Sequence, residues 1–419
     1  KNIPSDTASS PLKKSNRDLA AKILKIVPDR FLKIVVCASG LSKWNALKLA
    51  FSLGQSPFVS PFIAGCRTPI KENLRKNIKL PEETDEFESI LNDLVVEQLP
   101  MSTCEGYSAI REKSIEAYPK RVENIFTSYK LHASPDEGFR FWVANQVEKG
   151  VKLTLSQHGG GYGLCSLLSV EHELKICDKF FSWGWGAEQT KTLPMASAKL
   201  QNLGHNIRSD PNGTILWVIS TSERLLISID NNFTGGNVNG LDFISWKKRL
   251  LNIISPEVFK LLMMRFPIGP TGIKQVKNTS SDEKERLADI CPSLKLSGEE
   301  DSMVEQLRRS RLCIHDYFGT SWLETLSMNF PTIVFWNQNR VHTLTSVQSY
   351  LDDLRRVKIL HDTPESAAEF INEIYEDPLL WWMSSELQQV KDKFCHLFAR
   401  TSKNWLKEWK EELLKMTKV

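Results

Sequence analysis

Ser156-Gln157-His158-Gly159-Gly160-Gly161-Tyr162-Gly163 sets a side chain that titrates near neutral pH directly before a run with almost no side chains. Four glycines in five positions exclude a helix or strand interior, where glycine gives up the most backbone freedom. They mark a loop, and their N–H groups can approach a phosphate or carboxylate closely. His158 would project into the ligand crevice of an open α/β sheet, or else be a buried histidine in a flexible turn. Glu171-His172-Glu173 comes next in the chain. Moving a group onto a hydroxyl needs a base for the proton, or a carboxylate nucleophile if configuration is retained. Glu171, Asp178, Asp230 and Asp316 are the carboxylates to consider. His158 and Glu171 are preferred as the catalytic pair for their place in the distinctive stretch.

Ile314-His315-Asp316-Tyr317-Phe318-Gly319-Thr320-Ser321-Trp322-Leu323-Glu324 is the second such stretch. An apolar strand runs into a polar loop, then into a helix opened by Thr320 or Ser321 with Glu324 in its first turn, a capping-box arrangement. N–H groups at that start would face an incoming phosphate. The plainer alternative is that Glu324 only caps its own helix. Arg265, at the end of another apolar run, would neutralise a bound phosphate or carboxylate, which arginine grips bidentately, or form a surface salt bridge. No Asp-x-Asp motif stands beside a strand end, and Asp352-Asp353 falls in a helical stretch, so neither an essential divalent metal nor a cofactor is expected.

These residues need strands ending before them and helices following. The β-branched run 151–155 precedes the glycine loop, and the strand 32–38 ends at Ser39-Gly40 in the same way. Residues 136–149 have helical spacing, with Phe139, Trp142, Val143 and Val147 on one side and Gly150 as terminator. Residues 17–27 and 81–98 are further helices and 124–128 a strand. The periodicity lapses over 193–213, where Pro211-Asn212-Gly213 closes the segment and a lobe boundary is set at 208/209. It restarts with strands at 214–220, 311–314, 332–336 and 357–360 and an apolar run at 258–264. Helices fall at 241–254, 302–309, 320–328 and 364–376, the last capped by Thr363. Such alternation predicts an α/β protein with parallel sheets: a lobe at 1–208, a second at 209–378 and C-terminal helices at 379–419. Trp381, Trp382, Phe394, Phe398, Trp405 and Trp409 in the last segment would be buried against protein or lie at a membrane surface.

A chain of 419 residues, 41% hydrophobic, has room for two cores. A net charge of +4 on 54 basic and 50 acidic residues gives no general affinity for nucleic acid. The eight cysteines are scattered without C-x-x-C spacing and are expected to be reduced and mostly buried. No apolar run approaches the roughly 18 residues that cross a bilayer, and residues 1–16 are polar, so a cytoplasmic location is expected.

Gln157-His158-Gly159-Gly160-Gly161-Tyr162-Gly163, followed by Glu171 and a second apolar strand ending in Ser182-Trp183-Gly184-Trp185, resembles a family of bacterial surface-carbohydrate transferases. That family is similar to the two-lobed GT-B glycosyltransferases, including the retaining β-Kdo transferases that build lipopolysaccharide and capsule. The resemblance spans about residues 136–186, with a second block at 315–336. It implies two Rossmann-like lobes with a cleft between them, the first on the acceptor side, the second holding a nucleotide sugar, and C-terminal helices crossing back. It implies that the segment holding His315, Asp316, Tyr317, Gly319, Thr320, Ser321 and Glu324 binds the donor, with Thr320 and Ser321 at its phosphates and Glu324 at a ribose. Gly159, Gly160 and Gly161 would line the reaction site as a bare backbone wall.

The expected function is glycosyl transfer from a nucleotide-activated donor to a bacterial surface glycan such as lipopolysaccharide O-antigen or capsule. The resemblance suggests CMP-β-Kdo or a related CMP-linked ulosonic acid as donor. The expected partners are that donor and a glycan or glycolipid acceptor, with peripheral contact at the inner membrane and no nucleic acid. Two alternatives remain: a CDP-polyol or CDP-glycerol phosphotransferase, which would leave a phosphodiester, and a non-catalytic glycan-binding subunit.

Overall fold

The computed structural model describes residues 32–63, 65, 68–78, 85–133, 136–203, 207–219, 240–266, 283–298, 301–339 and 341–417. The expected helix at 17–27 and Asp230 lie outside these residues. The chain divides into two compact units, one of Lys1–Ser156, Cys177–Lys179 and Leu406–Val419, the other of Gln157–Ile176 and Phe180–Trp405. This division does not coincide with the 208/209 boundary set from the sequence.

Eleven strands build two sheets among the described residues. The first has the order β1 (Ile34–Cys37), β2 (Asn124–Thr127), β3 (Lys152–Ser156), β4 (Lys179–Ser182), β5 (Thr192–Pro194). β1 to β3 pair in parallel, as do β4 and β5. β5 falls where the sequence pattern had lapsed; it has three residues and ends in proline, too short for any periodicity to show. In the first unit Val35, Ile125, Phe126 and Leu153 are buried. The helix Glu137–Glu148 buries Phe139, Trp142 and Val143 as its spacing predicted, while Val147 stays exposed. Asp136 starts it by accepting the Phe139 N–H at 3.0 Å, and Gly150, at φ +88°, ends it. The other Asp136 oxygen lies 2.7 Å from Lys130 Nζ and accepts the Tyr118 hydroxyl at 2.9 Å, so a buried cation has its counter-charge. The helix Trp405–Lys415 brings Trp409 onto Phe126, with ring centroids 5.1 Å apart.

The second unit holds β4 from Phe180 onward, β5 and a six-stranded parallel sheet. Its strands are β6 (Thr214–Val218), β7 (Leu262–Arg265), β8 (Lys295–Leu296), β9 (Ser310–His315), β10 (Thr332–Phe335) and β11 (Leu360–His361). Their order, β11-β10-β9-β6-β7-β8, counts 3-2-1-4-5-6 from the β8 edge, the doubly wound arrangement. The order reverses between β6 and β9, and such sheets bind ligands beyond the carboxyl ends of strands at that point. The apolar run at 258–264 is two elements: the helix Pro256–Leu261, capped by Ser255, and β7. The expected strand at 357–360 contributes only β11, because Lys358 turns at φ +62°.

Of the two readings of the aromatic residues near the carboxyl end, burial against protein holds for four of the six, while Trp381 and Trp405 are half-buried. Trp382, Phe394, Phe398 and Trp409 are buried. Trp382 donates its indole N–H to Asn329, which ends the helix Ser321–Ser327 at φ +54° in place of the usual glycine. Among the described residues no helix is long and apolar enough to cross a membrane.

Candidate functional site

Gln157 ties the glycine loop to the Ser-Trp-Gly-Trp stretch. Its side-chain oxygen accepts the Trp183 backbone N–H at 2.9 Å and the Trp185 indole N–H at 2.7 Å, and its amide donates to the Gly159 carbonyl at 2.9 Å. Gly163, at φ +72°, lies so close to the Trp185 ring that a Cβ would come within 2.5 Å of it. The two sequence stretches therefore pack as one body.

The same loop meets the loop after β9. Gly160 N–H donates to Thr320 Oγ1 at 2.8 Å, and a Cβ on Gly160 would fall 2.6 Å from the Gly319 carbonyl oxygen. Two expectations change here. The Gly160 face is filled by the backbone of residues 319–320, so it is not an open wall for substrate. Thr320 makes no capping hydrogen bond to its own helix, because its hydroxyl is turned to Gly160; a capping box does form at Ser302 with Glu305. Gly159 approaches the same hydroxyl, and Gly161, at φ +101°, turns the loop so that its carbonyl accepts from Leu164 and Cys165.

His158 Nδ1 lies 2.8 Å from the Tyr162 hydroxyl, which donates to Glu173 Oε2 at 3.0 Å. Tyr162 and Glu173 are buried, and burial followed by the Glu173 charge holds the Tyr162 phenol far above its ordinary value. Glu171, by contrast, is exposed on the helix Leu168–Ile176 and does not join the group. Residues two apart on a helix project about 200° apart, so only one of the two glutamates can face the loop. Asp178 accepts the Leu153 N–H at 2.9 Å and pairs with Lys152 at the amino ends of the strands, away from the ends that bind ligands.

Of the second stretch, His315 is wholly buried, with Nδ1 3.0 Å from Ser321 Oγ and Nε2 3.1 Å from Thr325 Oγ1. Burial pushes its pKa down to about 3, so the ring is neutral, with both nitrogens engaged by the hydroxyls of the following helix. The Tyr317 hydroxyl joins Ser321 at 2.8 Å, and burial pushes that phenol up to about 12. Gly319 has no room for a Cβ beside the Tyr317 ring. Asp316 is buried with its carboxylate 3.5 Å from Lys247 Nζ.

Glu324 does not cap its helix; Lys199 Nζ lies 2.7 Å from its Oε1. Arg265, at the end of β7, donates to the Asp301 carbonyl at 3.0 Å. Burial lowers its pKa against the charges of Cys313, Asp301 and Glu324. Lys199 thus pairs directly with Glu324, while Arg265 is anchored on the Asp301 backbone and feels the Glu324 charge without contacting it. Lys199 lies where periodicity had lapsed, and no local signal marks it. The signal for Glu173 in the sequence is faint: it lies three residues after Val170 on the helix, on the side opposite Glu171. Among the described residues no three His, Cys, Asp or Glu side chains gather as a metal site. Asp353, on the helix Gln348–Arg356, pairs with Arg356 and with Lys393 of the helix Ser385–Phe398.

The family model of the LIC12162 family transferases matches residues 1–413. No curated protein matches the chain. Among solved structures it is similar to Anabaena HepE with UDP and glucose, at 11% identity and a TM-score of 0.44 over 92% of this chain and 100% of that one. Acinetobacter baumannii MurG matches at 12% identity and a TM-score of 0.38 over 92% and 99% of the two chains. The α,α-trehalose 6-phosphate synthase of Burkholderia multivorans matches at 10% and 0.39 over 80% and 75%.

Proposed function

We propose that this chain, which belongs to the LIC12162 family of transferases, moves a glycosyl group from a nucleotide-activated donor onto a hydroxyl of a glycan or glycolipid. The observation that carries the reading is the 2.8 Å hydrogen bond from Gly160 to Thr320, which sets the loop of the one titratable base in the glycine motif against the loop at the sheet's turning point. On this reading His158 takes the acceptor proton as the hydroxyl attacks the anomeric carbon. Arg265 and Lys199 neutralise the departing phosphate, and Glu324 accepts a ribose hydroxyl, the role an acidic residue plays in doubly wound nucleotide sites. The donor on this reading is a CMP-linked acidic sugar, whose single phosphate these two cations can serve. A bacterial surface glycan is then the acceptor and the cytoplasm the place of reaction. Activity should survive excess EDTA, since side-chain cations carry the charge.

Incubation with CMP-, CDP- and UDP-linked donors, with the product bond identified, tests this. A glycosidic product that disappears in a folded His158→Ala variant, with nucleotide Kd unchanged, is expected. A phosphodiester product would establish polyol-phosphate transfer instead, and His158→Ala turnover within threefold of the parent would reduce His158 to a structural residue.

A further inference from the structure

We infer that Tyr162 and Glu173 are positioning residues for His158, forming a relay that fixes which ring nitrogen carries the proton and stabilises the ring when it takes a second one. The inference rests on the glycosyl-transfer reading and adds two residues to it. The phenol has one proton, which goes to Glu173 Oε2 at 3.0 Å. The Tyr162 oxygen can therefore only accept from His158, so the 2.8 Å contact at Nδ1 is an Nδ1–H donor bond. The neutral ring then holds its lone pair at Nε2, the form a general base needs.

The surroundings keep this arrangement in place. Tyr162 is 3% and Glu173 4% exposed, and the Tyr162 ring stacks on Phe180 with centroids 5.9 Å apart. The His158 ring stands edge-on to Tyr162 at 5.2 Å. Tyr162 is fixed in turn by its place in the glycine loop, where Gly161 and Gly163 both take positive φ. When Nε2 takes the acceptor proton, the positive charge on the ring faces the Glu173 carboxylate through one polarised hydroxyl. No proton needs to leave Tyr162: the proton taken from the acceptor stays on Nε2, the electron pair of the broken O–H bond forms the bond to the anomeric carbon, and the donor phosphate departs with the pair of the bond that held it. The arrangement follows the logic of a base oriented by a third group, with a phenol inserted between them.

Glu173→Gln keeps an oxygen to accept from Tyr162 and removes the charge. It should lower kcat about 10- to 100-fold and move the acid limb of the kcat/KM profile to lower pH by about one unit, leaving nucleotide Kd alone. Tyr162→Phe should do the same, and the double variant should be no worse than either single one, because both break one chain. Nitrogen shifts of His158 in the unaltered protein should report the Nδ1–H tautomer, which needs no variant to fold. An unmoved acid limb, additive losses, or an Nε2–H tautomer would each overturn the relay. If His158→Ala remains active, the transfer reading falls on its own, whereas an inactive His158→Ala with a Glu173→Gln profile like the parent's removes only the relay.

Discussion

A methyl group on Gly160 would lie 2.6 Å from the Gly319 carbonyl oxygen, and backbone on both sides leaves little to yield. Gly160→Ala should therefore cost about 1–3 kcal/mol of stability as an overpacked contact, seen as a lower urea midpoint, and should slow turnover by shifting the two loops apart. An unchanged midpoint would show that the loops separate freely. The buried histidines make a second residue-level prediction. Burial pushes His315 down to about 3 and His361 to about 4. In the unfolded chain both return to about 6.5, so below that value the unfolded state binds more protons. The stability from their neutral burial is complete above about pH 6.5 and is lost as pH falls toward the folded values, at up to about 1.4 kcal/mol per pH unit for each. Glu105, held down to about 2 chiefly by Arg75, has the opposite origin, and its contribution fades only below about pH 4.5. Urea midpoints should thus fall between about pH 6 and pH 5, and His315→Gln should flatten the fall. An equally steep fall in that variant would mean His315 gains no proton on unfolding.

At the scale of elements, two threonines that look alike in sequence should behave differently. Thr363 caps the helix Pro364–Ile374, accepting the Ser366 N–H at 3.2 Å, so Thr363→Ala should cost about 1 kcal/mol of stability and leave turnover intact. Thr320 stands at the same position of the helix Ser321–Ser327 but bonds to Gly160. Thr320→Ala should lower kcat while moving the unfolding midpoint little, and Thr320→Ser should restore it. Equal loss of stability in both alanine variants, with turnover untouched, would return Thr320 to the role of an ordinary cap.

For the whole molecule, the last helix belongs with the first sheet, and Trp409 is its anchor on Phe126. Trp409→Ala removes a wholly buried ring and should destabilise the first unit by about 3–5 kcal/mol. Hydrogen exchange should report the loss at β2, while β9 and β10 keep their protection. Uniform loss through both sheets would show that the units unfold as one.

Local chemistry was legible in the sequence. Asp136 and Thr363 start the helices expected of them, Gly150 ends one, Trp142 and Val143 face inward, and strands end before both loops that carry the candidate site. Each of these depends on neighbours within about four residues, and the chain's own spacing expresses such terms directly. The alternation of strands and helices likewise predicted two parallel α/β sheets. Only the tertiary structure decided that Thr320 serves a glycine 160 residues away, that Glu173 and not Glu171 faces Tyr162, that Lys199 meets Glu324, and that His315 is sealed from solvent. The strand order that places β9 at the turning point was equally hidden. A hydrogen bond across such a separation leaves no periodicity, and a polar side chain's role depends on which face of its element is covered. Packing decides that, and packing is a property of the assembled sheets.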